Sequence, residues 1–381
     1  MDVVAASYLL LSIGAIQGVV LSIFLIRSYS SSKGNLILGL VMLIFSFNML
    51  TPGLLYYFYD DFHFLLGAGF PLMFLFGPGI YLYSREKSRG RELQRKDVLH
   101  LIPFALSTVL TLPLYLLSPE VKILILEEWR HGDLSGDILL GWAVECFHLA
   151  IYMILTHRML STYQERLKQH YSHLEGVNLN WLKQLTVIKS VIWSLYAGLL
   201  ILYLTGIDGA TFNYTFLLFG FCLSALGYLI GYRGLRNPEI FKDQFVLESK
   251  KEKYQQSGLS SEMTNVYADQ LEKLMEESKP YRSSDLTLPQ LSDMLEIPPN
   301  YLSQVINERM GYNFFDYVNY YRVTEAKALL TDPSHLEDNI IQIAYQVGFN
   351  SKSTFNAAFK KFTQTTPTLF RKAQLQELQP G

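Results

Sequence analysis

Long apolar runs dominate the first 233 residues, and short polar segments separate them. Seven runs approach the roughly 20 residues that a helix needs to cross a hydrocarbon core about 30 Å thick. They lie near 5–26, 35–58, 64–83, 98–117, 138–156, 187–206 and 212–232. The last 148 residues instead place apolar side chains three and four positions apart in short stretches, as in amphipathic helices. The pattern predicts an all-α chain, with a seven-transmembrane helix bundle at 1–233 and a helical cytoplasmic portion after it.

The distribution of charge supports this division. Residues 1–233 carry 31 charged side chains and the shorter remainder carries 35. The net charge of −2 does not by itself indicate a nucleic-acid binder, so any basic surface is local. Cys146 and Cys222 both lie in apolar runs, which argues against a disulfide framework, a cysteine zinc site or a redox motif. No P-loop, kinase signature, metal-ligand cluster or nucleophile motif occurs, so the sequence predicts no enzyme, cofactor or metal.

Positive charges in the short loops predict the orientation of the bundle, because cytoplasmic loops retain Lys and Arg. The loops at 27–34, 84–97 and 157–184 hold twelve of these residues, whereas the alternate segments hold only Lys122 and Arg130. We therefore expect a multi-pass membrane protein, in contact with lipid. Its N-terminus lies outside, and everything after Arg233 lies in the cytoplasm.

Three side chains of the fifth apolar run are candidates for sensing a signal. Trp142, Glu145 and His148 are spaced by three residues and share one helix face. An ionisable group at membrane depth is costly and marks a functional site by default. This face either binds a small-molecule or lipid ligand, senses protons, supports membrane chemistry, or only fixes helix packing. Lys189 is interpreted as reaching the cytoplasmic interface.

A juxtamembrane segment at 234–280 follows the bundle. Its charged centre, 250–253, is interpreted as a solvated linker. An amphipathic helix is predicted at 261–278, with apolar residues in 3/4 spacing. This helix either packs on the next domain or contributes to a homodimer.

Two helix-turn-helix units are predicted within 281–374, ahead of a tail at 375–381. The first comprises helices at 288–295 and 299–309, and the second comprises helices at 340–347 and 351–362. A connecting helix near 313–331 lies between them, with Asn313 as its N-cap and Asp316 at the capping-box position.

A helical wheel separates the buried and outward faces of the second helix in each unit. In the second unit Phe355, Ala358, Phe359 and Phe362 point inward. The outward residues have the types that contact bases in a major groove: Ser353, Asn356, Ala357 and Lys360 in the second unit, and Asn300, Ser303, Gln304 and Asn307 in the first. Between 340 and 374 there are five basic residues and no Asp or Glu, which favours attraction to phosphate.

The segment from 339 to 355, continuing through 359–362 to 366–372, closely resembles the AraC-type DNA-binding domain. Residues 301–307, 321–323 and 326–327 resemble it too, so the likeness covers about 100 of 381 residues. The resemblance implies sequence-specific binding to double-stranded DNA by two recognition helices about one turn apart. Phosphate contacts would then come from Lys352, Lys361, Arg371 and Lys372.

Two positions depart from the family, and one carries an open role. Gln364 stands where the family usually has Gly, and Pro298 stands where a Ser or Thr N-cap is usual. Arg322, which the family would keep, either contacts a phosphate of the DNA backbone or forms an interdomain salt bridge.

Together with the resemblance, these patterns predict a transcription regulator that is anchored in a bacterial inner membrane, senses an unknown signal and binds promoter DNA. The alternative is a membrane receptor or transporter whose cytoplasmic tail recruits protein partners.

Overall fold

The computed structural model describes residues 3–28, 34–89, 93–131, 135–174, 179–206, 218, 220–222, 225, 259–335 and 337–378. Within these ranges the regular structure is helical, and Tyr171 and Thr287 form an isolated antiparallel bridge. The chain forms two compact units, an N-terminal unit of 1–162 with 179–248 and a C-terminal unit of 163–178 with 249–381. The all-α prediction is confirmed for the described part of the chain.

The N-terminal unit is built from long apolar helices. Its elements are α1 Val3–Arg27, α2 Gly34–Tyr57, α3 Tyr59–Phe62, α4 Gly69–Met73, α5 Phe76–Arg89, α6 Ile102–Tyr115, α7 Pro119–His131, α8 Gly136–His170 and α9 Asn180–Leu204. In the described residues, five helices are long and apolar enough to cross a membrane, or six if the bent pair Tyr59–Leu65 and Gly69–Ser88 forms one span. The seventh predicted run, 212–232, lies outside the described residues except at isolated positions.

Three parts of the N-terminal half differ from the sequence expectation. The third run is broken before Gly69, where Gly67 adopts a left-handed φ of 80°. The segment at 118–137, interpreted as a loop, contains α7, which begins at Pro119 with Glu120 in its first turn. The helix of the fifth apolar run continues to His170, since its polar end is rich in good helix formers and carries a Lys168–Glu165 ion pair.

Side-chain caps set the helix boundaries of the C-terminal unit. Its helices are α10 Ser261–Glu277, α11 Leu288–Leu295, α12 Pro299–Glu308, α13 Phe314–Thr331, α14 Ile340–Gln346, α15 Lys352–Thr363 and α16 Pro367–Leu378. Thr287 and Asn339 each form a capping box, and Ser351 accepts from the Thr354 amide. The predicted helices of both units are confirmed to within one or two residues, and Asn313 caps α13 as expected.

Two separate hydrophobic clusters lie in the C-terminal unit, one for each helix-turn-helix. The first contains Leu291 and Leu302, and the second contains Phe355 and Phe359. Helix α13 contributes to both, through residues 314–318 to the first and 323–330 to the second. Leu271 and Met275 of α10 are fully buried in the first cluster, so this helix packs on the domain, one of the two arrangements expected.

Gln364 stands where the family usually has Gly, and this residue is expected to lower the stability of α15. Gln364 ends α15 in the left-handed conformation, with a φ of 61°. Because a side chain is strained there, we expect Gln364→Gly to raise the opening free energy of α15 by about 1 kcal/mol, measured by amide hydrogen exchange on the full chain. The same change at the exposed, helical Gln346 should instead destabilise its helix, and destabilisation by Gln364→Gly would contradict the explanation.

Candidate nucleic-acid interface

The second recognition helix, α15, separates its faces as the wheel predicted. Phe355 and Phe359 are fully buried, and Ala358 is nearly so. The opposite positions are open to solvent: Lys352, Ser353, Ala357 and Lys360 are exposed, and Asn356 is half-buried. Helix α15 therefore presents small, amide-bearing and basic side chains on one surface.

The basic residues flanking this surface differ in whether they already contact other groups of the protein. Lys361 pairs with Asp316 at 2.7 Å but keeps 56% of its side chain exposed, and Lys372 is exposed. The Arg371 guanidinium donates to the carbonyls of Asp338, at 2.7 Å, and His335, at 3.4 Å. Arg371 thus ties α16 to the loop before α14, whereas Lys352, Lys361 and Lys372 remain available to a phosphate.

The first recognition helix, α12, exposes fewer of its polar side chains than the helical wheel predicted. Asn300 and Gln304 are half-buried and Asn307 is exposed, but Ser303 is only 6% exposed. The prediction that Ser303 faces outward is therefore wrong, because the inward face of this short helix is wider than its apolar stripe. The Asn307 amide donates to the Ser303 carbonyl at 2.7 Å, and Gln304 donates to Glu308 at 2.9 Å.

The start of α12 has no side-chain cap, as expected because Pro298 stands where a Ser or Thr N-cap is usual. Pro298 occupies the N-cap position without a cap hydrogen bond. Pro299 follows at the start of the helix, where its missing N–H is no loss.

Arg322 has a structural role, which the sequence alone left open. Its side chain is 1% exposed, and Nε donates to the Tyr281 carbonyl at 2.7 Å while Nη2 donates to the Ser283 carbonyl at 2.8 Å. Burial lowers the pKa of the guanidinium to about 10, against the opposing effect of Asp285, so the group stays charged at neutral pH. Arg322 contacts protein rather than solvent, which excludes a phosphate role in this structure.

Of the three candidates for sensing, Glu145 interacts with Lys189. Glu145 is 4% exposed and interacts electrostatically with Lys189. Lys189 Nζ lies 4.7 Å from the centre of the Phe76 ring, and its reach to the cytoplasmic interface stays a prediction. His148 Nε2 is buried without a hydrogen-bond partner in the described residues. Trp142 lies 6.4 Å from Tyr196, centre to centre, beside this group.

A small apolar cavity lies beside the same residues. Its volume is about 60 Å³, and Lys189, Tyr152 and Thr156 contribute to its wall. Ligand pockets for drug-sized molecules are several times larger. In this conformation the cavity is too small for a drug-sized ligand.

Two helix-turn-helix units, each with its own core and joined by α13, form a double helix-turn-helix domain at the C-terminus. Comparison with known proteins agrees: residues 291–373 match the family described as a helix-turn-helix domain. An HTH-type transcriptional regulator of Staphylococcus aureus strain COL is 33% identical over 116 residues, which are 30% of this chain and 14% of that protein. The HTH-type transcriptional regulator YtdP of Bacillus subtilis strain 168 is 33% identical over 88 residues, 23% of this chain and 11% of YtdP.

One similar solved structure is the C-terminal domain of AraT, a response regulator from Geobacillus stearothermophilus. It is 30% identical, with a TM-score of 0.25, 31% of this chain covered and 88% of that one. The chain spans about one seventh of the length of the Staphylococcus relative.

Proposed function

We propose that this chain is a membrane-anchored transcription regulator whose C-terminal domain binds promoter DNA in a sequence-specific manner. The observation that carries the proposal is the exposed face of α15, where Ser353, Asn356 and Lys360 stand opposite a buried aromatic stripe. Hydroxyl, amide and ammonium groups are the donors and acceptors that contact base edges in a major groove. The transcriptional-regulator names of the relatives support the same function.

Residues of α12 supply the second contact in this proposal. Asn300, Gln304 and Asn307 would contact bases, and Ser303 is removed from the set because it is buried. Lys352, Lys361 and Lys372 would contact phosphates, and Arg371 would act by holding α16 in place. The two helices would enter the major groove about one turn apart.

The N-terminal unit would anchor the protein in a bacterial inner membrane and sense a signal. The five or six long apolar helices support the anchor. The twelve-to-two distribution of positive loop residues supports an orientation with the C-terminus inside. Buried Glu145 and half-buried Lys189 and His148 support a sensing role, in which a ligand or proton changes the charge balance. Met263 and Val266 stay exposed on α10, which supports a contact with a second copy.

A selection of random duplexes on the full chain in lipid nanodiscs tests this function. At two salt concentrations we expect enrichment of a motif with two parts about ten base pairs apart. The logarithm of affinity should fall with the logarithm of salt concentration, and Lys352→Ala should reduce that slope by about 1. Binding without any enriched motif would overturn the proposal and favour a tail that recruits proteins.

A further inference from the structure

A short segment that follows α8 contacts the first helix-turn-helix within the C-terminal unit. We call residues 171–174 the connector. The Ser172 amide and hydroxyl both donate to the Leu286 carbonyl, at 3.2 and 2.5 Å, and Tyr171 forms the antiparallel bridge with Thr287. Thr287 is also the N-cap of α11, so the connector holds the residues at which this helix begins.

Arg322 receives part of its hydrogen bonding from the same connector. Nη1 donates to the Ser172 carbonyl and Nη2 donates to the Ser172 hydroxyl, each at 3.3 Å. Ser172 is 1% exposed, so these bonds are shielded from water. A buried guanidinium needs acceptors for its five N–H groups, and here one residue of the connector supplies two of them.

Arg322 stands where the two helix-turn-helix units meet. Its guanidinium carbon lies 5.5 Å from the centre of the Phe349 ring, which belongs to the turn of the second unit. The preceding Gly348 has a φ of 98°, and a Cβ there would lie 2.5 Å from the Tyr281 carbonyl oxygen. The second turn therefore packs against the backbone segment to which Arg322 also donates, so Arg322 helps to set the relative position of the two recognition helices.

From these contacts we infer that the connector is a docking segment of this chain which completes the junction between the two recognition units. The docked connector is the DNA-binding form, and displacement of α8 transmits the signal by removing Ser172 from Arg322 and Leu286. The inference rests on the proposed function for its DNA readout. The signal can pass along the chain without a ligand contacting the DNA-binding domain, because α8 runs without interruption from Gly136 to His170 and the connector follows directly.

Cross-linking tests the docking itself, independently of DNA. Opposed residues of an antiparallel bridge have Cα atoms about 4.5–5.5 Å apart, within the range of a disulfide. We expect Tyr171→Cys/Thr287→Cys in the full chain to give the 171–287 linked peptide on mild oxidation, detected by mass spectrometry. Disulfides between position 171 and the native Cys146 or Cys222 measure the background of non-specific pairing. If the 171–287 disulfide formed in no higher yield than these background disulfides, the docking would be overturned.

DNA affinity tests the coupling. Ser172→Pro removes the amide donor to Leu286, so affinity for the two-part motif should fall about tenfold, equivalent to 1.4 kcal/mol. Ser172→Ala keeps the backbone bonds and should cause a smaller loss. Affinity for a duplex with the second part alone should stay unchanged, which also shows that the second unit remains folded. The oxidised double-cysteine protein should bind the two-part motif at least as tightly as its reduced form.

The outcomes separate the two proposals. A wild-type chain that selects no motif would refute the proposed function, while the cross-link would still decide the docking. A selected motif bound equally by wild type and Ser172→Pro, or lost on oxidation of the double-cysteine protein, would refute the coupling alone.

Discussion

Replacing Lys360 by alanine is expected to weaken binding to the selected duplex by about 1–3 kcal/mol. Lys360 is exposed on the outward face of α15, and its loss removes both a base-edge donor and a positive charge. A fluorescence titration of the full chain against the selected duplex measures the change. Asn356→Ala should cost a similar amount with the selected duplex, yet relax the preference at one base pair.

The control for this pair is Lys273→Ala. Lys273 is 71% exposed on α10, outside both helix-turn-helix units, so its removal changes the net charge equally without touching the recognition face. If the Lys360 and Lys273 variants bound DNA alike, the face of α15 would be misplaced and general electrostatics would account for the affinity.

Arg322→Ala is expected to lower the unfolding free energy of the C-terminal unit by about 3 kcal/mol, because each buried acceptor left without a donor costs about 1–3 kcal/mol. The carbonyls of Tyr281, Ser283 and Ser172 would all lose their guanidinium partner. Hydrogen exchange of the core amides in the full chain measures the loss. Arg322→Lys should recover only part of it, since an ammonium cannot span the same acceptors as the planar guanidinium.

Arg309→Ala provides the matched control for this prediction. Arg309 is exposed at the end of α12, where its loss should change stability by less than about 0.5 kcal/mol. Equal effects of the two arginine variants would mean that water replaces the buried guanidinium at no cost.

The helix boundaries of the C-terminal domain were predictable because local chemistry sets them. Thr287, Asn339 and Ser351 cap their helices with their own side chains, and these signals lie within four residues of the boundary that they specify. The outward face of α15 was predictable for the same reason, since three phenylalanines fix the opposite side.

The roles of Ser303 and Arg322 were not predictable from periodicity. Ser303 is small and polar, and it is buried because neighbouring elements widen the covered face of α12. Arg322 is a residue type that is rarely buried, and its partner Ser172 lies 150 positions earlier in the chain. A contact at that separation leaves no repeating pattern in the sequence.

The N-terminal half was predicted in outline. Hydropathy finds long apolar runs, because membrane thickness fixes their length. It does not show that the third run is broken or that α8 continues to His170, since a break depends on local backbone conformation and polar residues also form helices. The contacts of Lys189 with Phe76 and Glu145 were not predictable from its place near the start of its helix, since both partners lie on other helices.

The unequal charge of the two recognition helices has a consequence for how DNA would be searched. Helix α12 has no Lys or Arg from Pro299 to Glu308, whereas α15 exposes Lys352, Lys360 and Lys361. Arrival and sliding along a duplex depend on charge, so α15 would make the first encounter with any sequence. Helix α12 would bind only once it lies next to the bases that it recognises. Scanning speed would then be a property of the second unit, and residence time at the operator a property of the first.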